Sequence, residues 1–255
     1  MKKKIIWVIA AVLAAVGILA GATYLWMANR RTELPDDIIQ HSTQPTQAQP
    51  SATPELAKDP VNWDELHAIS EEIYAYIEMP GTKVSYPIVQ HAEDDSYYLR
   101  RDVYGNYSVP GSIFTKYSYN STDFNDPVTV VYGHAITSDG SMFGSLQPYM
   151  QSTTIDESTT FTIYLPGRQL NYQVFAAVPH DTKHILYYND FSQEDQFNRY
   201  FENILNTRSL YANINEEYAP KFGDKVVMLY TCLNGQASQR YIVMGKLVEE
   251  IPLAS

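Results

Sequence analysis

The feature that most constrains the fold is a series of short segments rich in Val, Ile, Tyr and Phe that begins after Gly81. These residue types favour strands, and Pro-Gly, Asp-Pro and Gly-Asp pairs separate several of the segments. Seven or eight strands in one stretch, with a hydrophobic content of 45% for the core, predict a mainly β barrel or sandwich. The segments span 82–90, 111–117, 127–134, 161–166, 170–180, 224–232 and 240–251.

Two further segments have helical periodicity. In the first, 62–78, Asn62 and Glu65 form a capping pair and the apolar residues recur every three or four positions, which predicts a helix before the strands. In the second, 191–209, apolar residues form one stripe and Ser192 is the candidate N-cap. The sequence therefore predicts an N-terminal helix and a long helix inserted before the last two strands.

The N-terminus has the pattern of a membrane anchor. Lys2, Lys3 and Lys4 precede an uncharged, mainly apolar run over 5–28. At 1.5 Å per residue this run is long enough to cross a hydrocarbon core of about 30 Å. A cleaved signal peptide with its site near Ala20–Ala22 is the alternative, but the apolar run continues beyond those small residues. Under both interpretations, the rest of the chain is exported.

The predicted organisation follows from this anchor. Residues 1–4 form a cytoplasmic tail, 5–28 a transmembrane signal-anchor, 29–60 a flexible linker rich in Gln, Thr, Ser and Pro, and 61–255 an extracellular domain. The net charge of −11 and a pI near 4.9 argue against a nucleic-acid partner, which would require a basic face. The sequence has no cluster of Cys and His residues with the spacing of metal ligands.

The chain has one cysteine, Cys232, at the end of an apolar segment. It cannot form an internal disulfide, so it is a buried apolar side chain, an intermolecular link or a reactive thiol. Arg240 begins the next segment. A hairpin would bring its guanidinium beside the thiol, lowering the pKa of the thiol and offering donors to an oxyanion. On these two residues alone, a packed thiol and a surface arginine fit better.

A cysteine nucleophile requires an acid to protonate the leaving amine, and His134 is the strongest candidate. It ends its apolar segment after Gly133, the same placement that Cys232 has. Tyr132 lies two residues earlier and shares its face. His180 and His184 lie in a segment that leads from a strand into a loop, and their spacing leaves them open as alternatives.

These segments together resemble the sortase family. "VTVVYGHAITSDGSMFGSLQPY" is similar to the histidine segment of sortases, and "VVMLYTC" is similar to their signature strand. Arg240 falls where the family keeps an arginine. The resemblance covers residues 63–251, and class B is indicated by the two helices, by "DGSMFGSL" and by "SYYLRRDVYGNYSVPGSIFTKY".

The resemblance implies a closed β-barrel and a membrane-anchored cysteine transpeptidase, or thiol protease, on the outer face of a Gram-positive cell. Cys232 would attack the carbonyl after a threonine in the C-terminal sorting signal of an exported protein and form a thioester. His134 would protonate the leaving amine and deprotonate the acceptor, and Arg240 would stabilise the oxyanion. Thr231 and Tyr132 would border the substrate pocket. The acceptor would be an amine of a cell-wall peptide precursor or a pilin lysine, and the reaction would use no cofactor.

One departure from class B concerns the residues after the cysteine. Leu233 and Asn234 stand where class B members often carry an acidic residue, so no neighbouring carboxylate is available to orient His134. Two other functions remain open: another exported cysteine peptidase or acyltransferase, and a tethered binding module in which Cys232 is inert.

Overall fold

The structure, a computed structural model, describes residues 56–150, 154–233 and 236–254 together with positions 19, 23, 34, 38 and 39. For 232, 233 and 236–238 it describes the backbone. The elements in chain order are β1 (Ala57–Lys58), α1 (Trp63–Ile69), β2 (Ile73–Glu78), β3 (Ser85–Val89), β4 (Ile113–Phe114), β5 (Val128–Tyr132), β6 (Ala135–Ile136), β7 (Ser141–Met142), β8 (Thr160–Leu165), β9 (Arg168–His180), α2 (Ile185–Tyr188), α3 (Glu194–Leu205), β10 (Asn213–Ile214), β11 (Val226–Leu233) and β12 (Gln236–Ala254).

Eight strands close into a barrel. Their order is β12-β11-β5-β4-β3-β2-β8-β9, and β9 pairs back onto β12. The ladders are antiparallel except for β3–β4 and β5–β11, which are parallel. The predicted closed barrel of seven or eight strands is confirmed, and closure satisfies the backbone groups that an open sheet would leave at its edges.

The predicted helix over 62–78 is correct only for its first half. Asn62 caps it as expected: its Oδ1 accepts from the Glu65 amide at 3.3 Å, and its Nδ2 donates to the Glu65 carboxylate at 3.1 Å. The helix ends at Ile69, however, and β2 follows it. Strand β2 is buried on both faces, with Ile77 inside the barrel and Tyr76 outside. Such a strand lacks a polar side, so its apolar residues also fit a helical period.

The predicted long helix is confirmed as α3, but its cap was assigned to the wrong residue. Gln193 occupies the N-cap position, whereas the Ser192 hydroxyl donates to Asp190 at 2.6 Å. The apolar stripe of the helix packs on the outside of the barrel wall against β9 and β11, through Phe197, Phe201 and Ile204.

The side chains of β11 alternate between two hydrophobic cores, one inside the barrel and one outside it. Val227 and Leu229 point into the barrel, while Val226 and Met228 contact the cluster beneath α3. Because side chains alternate along a strand, Tyr230 also belongs to the outer face, where it packs against the same cluster. Cys232 follows two positions later, near the end of β11.

Parts of the range predicted as a linker contact the domain. Ile38 is 2% exposed and packs with Val61 and Leu66, and its carbonyl accepts from the Asn62 amide at 2.9 Å. Strand β1 pairs in parallel with the end of β12. The boundaries 29–60 and 61–255 stay a prediction. The tail at 1–4 and nearly all of the anchor at 5–28 lie outside the described residues, and no helix within the described part is long and apolar enough to span a membrane.

Candidate active site

The parallel register of β5 and β11 brings the histidine and cysteine segments together. Tyr132 is opposite Tyr230, and the Gly133 amide donates to the Tyr230 carbonyl at 3.1 Å. His134 follows two residues after Tyr132, just past the end of β5, and Cys232 follows two residues after Tyr230, within β11. A Cβ on Gly133 would lie 2.5 Å from Ile113 Cδ1 and would clash, so glycine allows the chain to pass close to Ile113 here.

The antiparallel ladders β11–β12 and β12–β9 continue from Cys232 across the sheet. Cys232 is opposite Arg240 in β12, and Arg240 is opposite His180 in β9. The sequence-predicted residues Cys232 and Arg240 thus occupy opposite positions of adjacent strands, and His134 follows the end of β5 on the other side of β11. His180 lies two strands away from Cys232.

A cavity of about 250 Å³ opens at this level. His134, Arg240, Thr231 and Tyr132 all line it. Its remaining wall is mixed, with aromatic, apolar and charged side chains that include Phe114, Tyr230, Leu99, Lys116, Asp95 and His184. A site of this composition can hold an extended peptide against aromatic rings and fix its orientation with a few polar groups.

The imidazole of His134 is half-buried, and its Nε2 lies 3.0 Å from the Leu99 carbonyl oxygen. A carbonyl only accepts, so Nε2 carries the hydrogen and the lone pair of the neutral ring is on Nδ1. Burial lowers the pKa of His134 below its usual value, and the nearby Arg100 and Arg240 lower it further, whereas the bond to Leu99 acts in the opposite sense. The neutral ring therefore predominates at pH 7.

The alternative histidines have other partners. His184 packs against Tyr119 in a tilted arrangement with ring centroids 4.2 Å apart, and its Nδ1 accepts from the Tyr187 amide at 3.2 Å. Burial first, and then Lys116, lowers the pKa of His184. His180 has Nδ1 2.9 Å from the Asp181 carbonyl and Nε2 3.4 Å from the Tyr200 hydroxyl. The strand pairing favours His134 as the partner of Cys232, because His134 follows the end of β5, the strand that pairs with β11.

Tyr132 forms an aromatic floor for the cavity. Its ring stacks on Phe114 at 5.5 Å, meets Tyr230 edge-on at 5.2 Å, and lies 5.0 Å from the Lys116 ammonium. Burial lowers the pKa of Lys116 and raises that of Tyr132. Thr231 lines the same cavity but is 2% exposed, and within the described residues its Oγ1 has no hydrogen-bond partner.

Two features of the site are not evident from the sequence motifs. The acceptor for His134 is a main-chain carbonyl, which no side-chain motif reveals, although Leu99 lies in the 96–117 segment that carries part of the family resemblance. Lys116 lies at the end of a predicted strand, where its distance from Tyr132 could not be known. Among the described residues, no three His, Cys, Asp or Glu side chains lie close enough to share a metal ion.

Comparisons with known proteins agree on one family. A family model for the Sortase domain matches residues 77–248. Sortase B of Listeria monocytogenes is 29% identical over 188 residues, which cover 72% of this chain and 73% of that protein. The crystal structure of sortase B from B. anthracis is 28% identical with a TM-score of 0.61, covering 76% of this chain and 89% of that one. A Streptococcus pyogenes class B sortase involved in pilus biogenesis is 26% identical with a TM-score of 0.61, covering 74% and 98%.

Proposed function

Because this chain belongs to the sortase family, as a class B cysteine transpeptidase, we propose that it cleaves the C-terminal sorting signal of an exported protein after a threonine and transfers that exported protein to an amine of a cell-wall peptide precursor. Cys232, His134 and Arg240 carry the reaction. The observation that supports this most directly is the strand pairing: Cys232 in β11 is opposite Arg240 in β12, and His134 follows the end of β5, which pairs with β11.

Acylation begins when the Cys232 thiol gives its proton to Nδ1 of His134. The thiolate attacks the threonine carbonyl, and a carbon–sulfur bond forms as the carbonyl electron pair moves to oxygen. The tetrahedral intermediate then breaks the carbon–nitrogen bond, and the imidazolium protonates the leaving amine. The acceptor amine reverses these steps: it attacks the thioester, loses a proton to Nδ1, and the cysteine leaves as a thiolate that takes the proton back.

Arg240 acts on charge that develops during both half-reactions. Its position opposite Cys232 supports a guanidinium within reach of the reacting carbonyl. There it donates to the oxyanion and lowers the pKa of the thiol, because a nearby cation favours the thiolate. The neutral state of His134 suits this arrangement, because the ring must first accept the thiol proton.

Tyr132 and Thr231 form part of the substrate-binding wall. The stack of Tyr132, Phe114 and Tyr230 offers an apolar surface on which a peptide excludes water. Water exclusion matters because a thioester that reaches water is hydrolysed, and the bond energy kept for the amine is lost. The lining therefore favours transfer over hydrolysis.

The proposal is tested with the full-length protein and a library of sorting-signal peptides of five residues. We expect a thioester adduct on Cys232 by mass spectrometry and transfer to an added amine. Cys232→Ala should abolish both and leave the melting temperature near that of the unmodified protein. Turnover that survives Cys232→Ala would disprove the assignment, and cleavage without transfer to any amine would indicate a peptidase.

A pilin lysine is the second candidate acceptor, because a class B sortase that is 26% identical is involved in pilus biogenesis. The same three residues would act. Competition between a lysine-bearing pilin peptide and a cell-wall peptide amine, read as the ratio of the two products, separates the acceptors.

The location of the enzyme is part of the proposal. Residues 1–4 lie in the cytoplasm, 5–28 anchor the chain in the cell membrane as a single pass, 29–60 link it, and 61–255 act outside. The apolar run at 5–28 supports this topology. Deleting 1–28 should move the protein from the membrane fraction to the soluble one, and an unchanged distribution would contradict the anchor.

A further inference from the structure

The loop before β4 presents a main-chain acceptor to the proposed catalytic histidine. Leu99 lies in a 3-10 helix formed by Tyr97–Arg100, and its carbonyl oxygen is 3.0 Å from Nε2 of His134. The residues after Cys232 offer no carboxylate for this purpose, because Leu233 and Asn234 follow it. The contact to Leu99 supplies what an orienting carboxylate provides in other enzymes: it fixes the tautomer and the plane of the ring.

Backbone contacts hold this carbonyl in place. The Ser112 amide donates to the Tyr98 carbonyl at 3.0 Å, which ties the 3-10 helix to the start of β4. Gly111 makes the close approach possible. A Cβ at this position would lie 2.6 Å from both the Leu99 and Tyr98 carbonyl oxygens, and its φ of +62° also favours glycine.

A side-chain contact anchors the same turn to the barrel wall. Tyr98 is 3% exposed, and its hydroxyl donates to the Glu72 carboxylate, which precedes β2. Burial raises the pKa of Tyr98, and the bond to Glu72 raises it further, so the phenol stays protonated as the donor. The Glu72 carbonyl in turn accepts from the Gln90 amide at 3.1 Å.

We propose that the Leu99 carbonyl orients the His134 imidazole for proton transfer, and that Tyr98, Glu72 and Gly111 are positioning residues that hold this carbonyl. The inference rests on the proposed function, in which His134 moves the proton. It assigns to the main chain the role that an acidic side chain would otherwise take. With Nε2 occupied by Leu99, proton exchange with Cys232 and with both amines runs through Nδ1.

The first test reads the histidine ring directly and needs no turnover. Full-length protein carrying Cys232→Ala is labelled with ¹⁵N at histidine, and His134→Gln identifies the His134 signals. We expect the neutral ring to be protonated at Nε2 and unprotonated at Nδ1, with the Nε2 hydrogen protected from exchange with water. A resting ring protonated at Nδ1 would overturn the proposal, because Nε2 would then have no hydrogen to donate.

The second test moves the carbonyl. Gly111→Ala should displace it and lower kcat on the order of 100-fold, the usual effect of misplacing a reacting group by about 1 Å, with little change in KM. The pKa of His134 should fall, because the bond to Leu99 favours the protonated ring. Gly105→Ala is the matched control: its φ is +77°, and its added Cβ would lie 3.4 Å from Tyr97 Oη, not against a carbonyl. Equal kcat and equal His134 pKa in the two variants would contradict the proposal.

A third comparison covers the case in which Gly111→Ala fails to fold. Tyr98→Phe keeps the buried ring and removes the bond to Glu72, whereas Glu72→Gln keeps an acceptor for the Tyr98 hydroxyl. We expect a lower kcat and faster exchange of the Nε2 hydrogen in Tyr98→Phe, and values near those of the unmodified protein in Glu72→Gln. A purely structural role would lower the melting temperature of Tyr98→Phe without changing the exchange rate.

Arg100 and Arg240, the charges that act on His134, are retained in every variant. If the protein processed no sorting signal, the proposed function would fail, but the ring measurements would still decide this inference.

Discussion

The long ladder between β9 and β12 carries an arginine at each end, and the two have different surroundings. At one end Arg168, opposite Pro252, donates to the Glu250 carboxylate at 2.9 Å and to the Asp123 carbonyl at 2.9 Å. At the other end Arg240, opposite His180, donates to the Gln239 carbonyl at 3.1 Å and lines the cavity.

The difference shows how one scaffold supports two uses of the same side chain. The charge of Arg168 is paired with a carboxylate in water, where screening leaves little net energy. Arg240 lies beside a half-buried imidazole and lowers its pKa. A charge influences a neighbouring group most where water is displaced, so the end of the ladder at the cavity is the one suited to catalysis.

Removing the arginine at the cavity end of the ladder should have the strongest consequence. Arg240→Ala should lower kcat by about 10²–10³-fold, the usual loss when one oxyanion donor is removed. Arg168→Ala, at the far end of the same ladder, is the matched control and should keep kcat unchanged. Steady-state transfer assays on sorting-signal peptides measure both. Similar losses in the two variants would mean that the arginines act through stability alone.

A second prediction concerns Gly245, which lies in the middle of the β9–β12 ladder, between the two arginines. A Cβ on Gly245 would lie 2.4 Å from Phe161 Cε1, so Gly245→Ala should lower the free energy of unfolding by about 1–3 kcal/mol through overpacking. Urea unfolding measures this loss. Adding Phe161→Leu should recover part of it, and strictly additive effects would rule out the contact as the cause.

The pH dependence of stability tests the two histidines, His134 and His184, that line the cavity. The folded pKa values of His134 and His184 both lie below the ordinary 6.5, chiefly because of burial. Below pH 6.5 the unfolded chain therefore binds more protons than the folded one, so the free energy of unfolding decreases as the pH falls toward the folded values. Urea unfolding between pH 7.5 and 5 should show this decrease, and His134→Gln with His184→Gln should flatten it. An unchanged slope would contradict the lowered pKa values.

The weakest change in stability is expected at the Arg168 end of the ladder. The Arg168–Glu250 pair is partly exposed, with 31% and 41% of the side-chain surfaces accessible, so a double-mutant cycle should give a coupling of about 0.2–1 kcal/mol. Added salt should reduce it further. A larger coupling that resists salt would show that this end is as shielded as the cavity end.

Local patterns predicted much of this architecture. The alternation of β-branched and aromatic residues identified seven of the eight barrel strands, and Asn62 was recognised as a helix cap. The eighth strand, β2, was missed because burial on both faces makes its periodicity ambiguous. The N-cap of α3 was misassigned because Ser192 bonds to Asp190, a competition between local acceptors that propensity does not resolve.

The order of residues alone predicts which side chains lie at or just after the ends of strands, because the alternation of residue types and the chemistry of thiol, imidazole and guanidinium groups are local properties. Which strand ends lie next to one another depends on how the sheet folds. Strand β11 lies between β5 and β12 through hydrogen bonds across the sheet, and that pairing brings the end of β5, which His134 follows, next to the cysteine strand and leaves His180 two strands away. It also brought the Leu99 carbonyl to His134, a contact between a backbone group and a ring that no local pattern encodes, because it depends on how distant segments close the barrel.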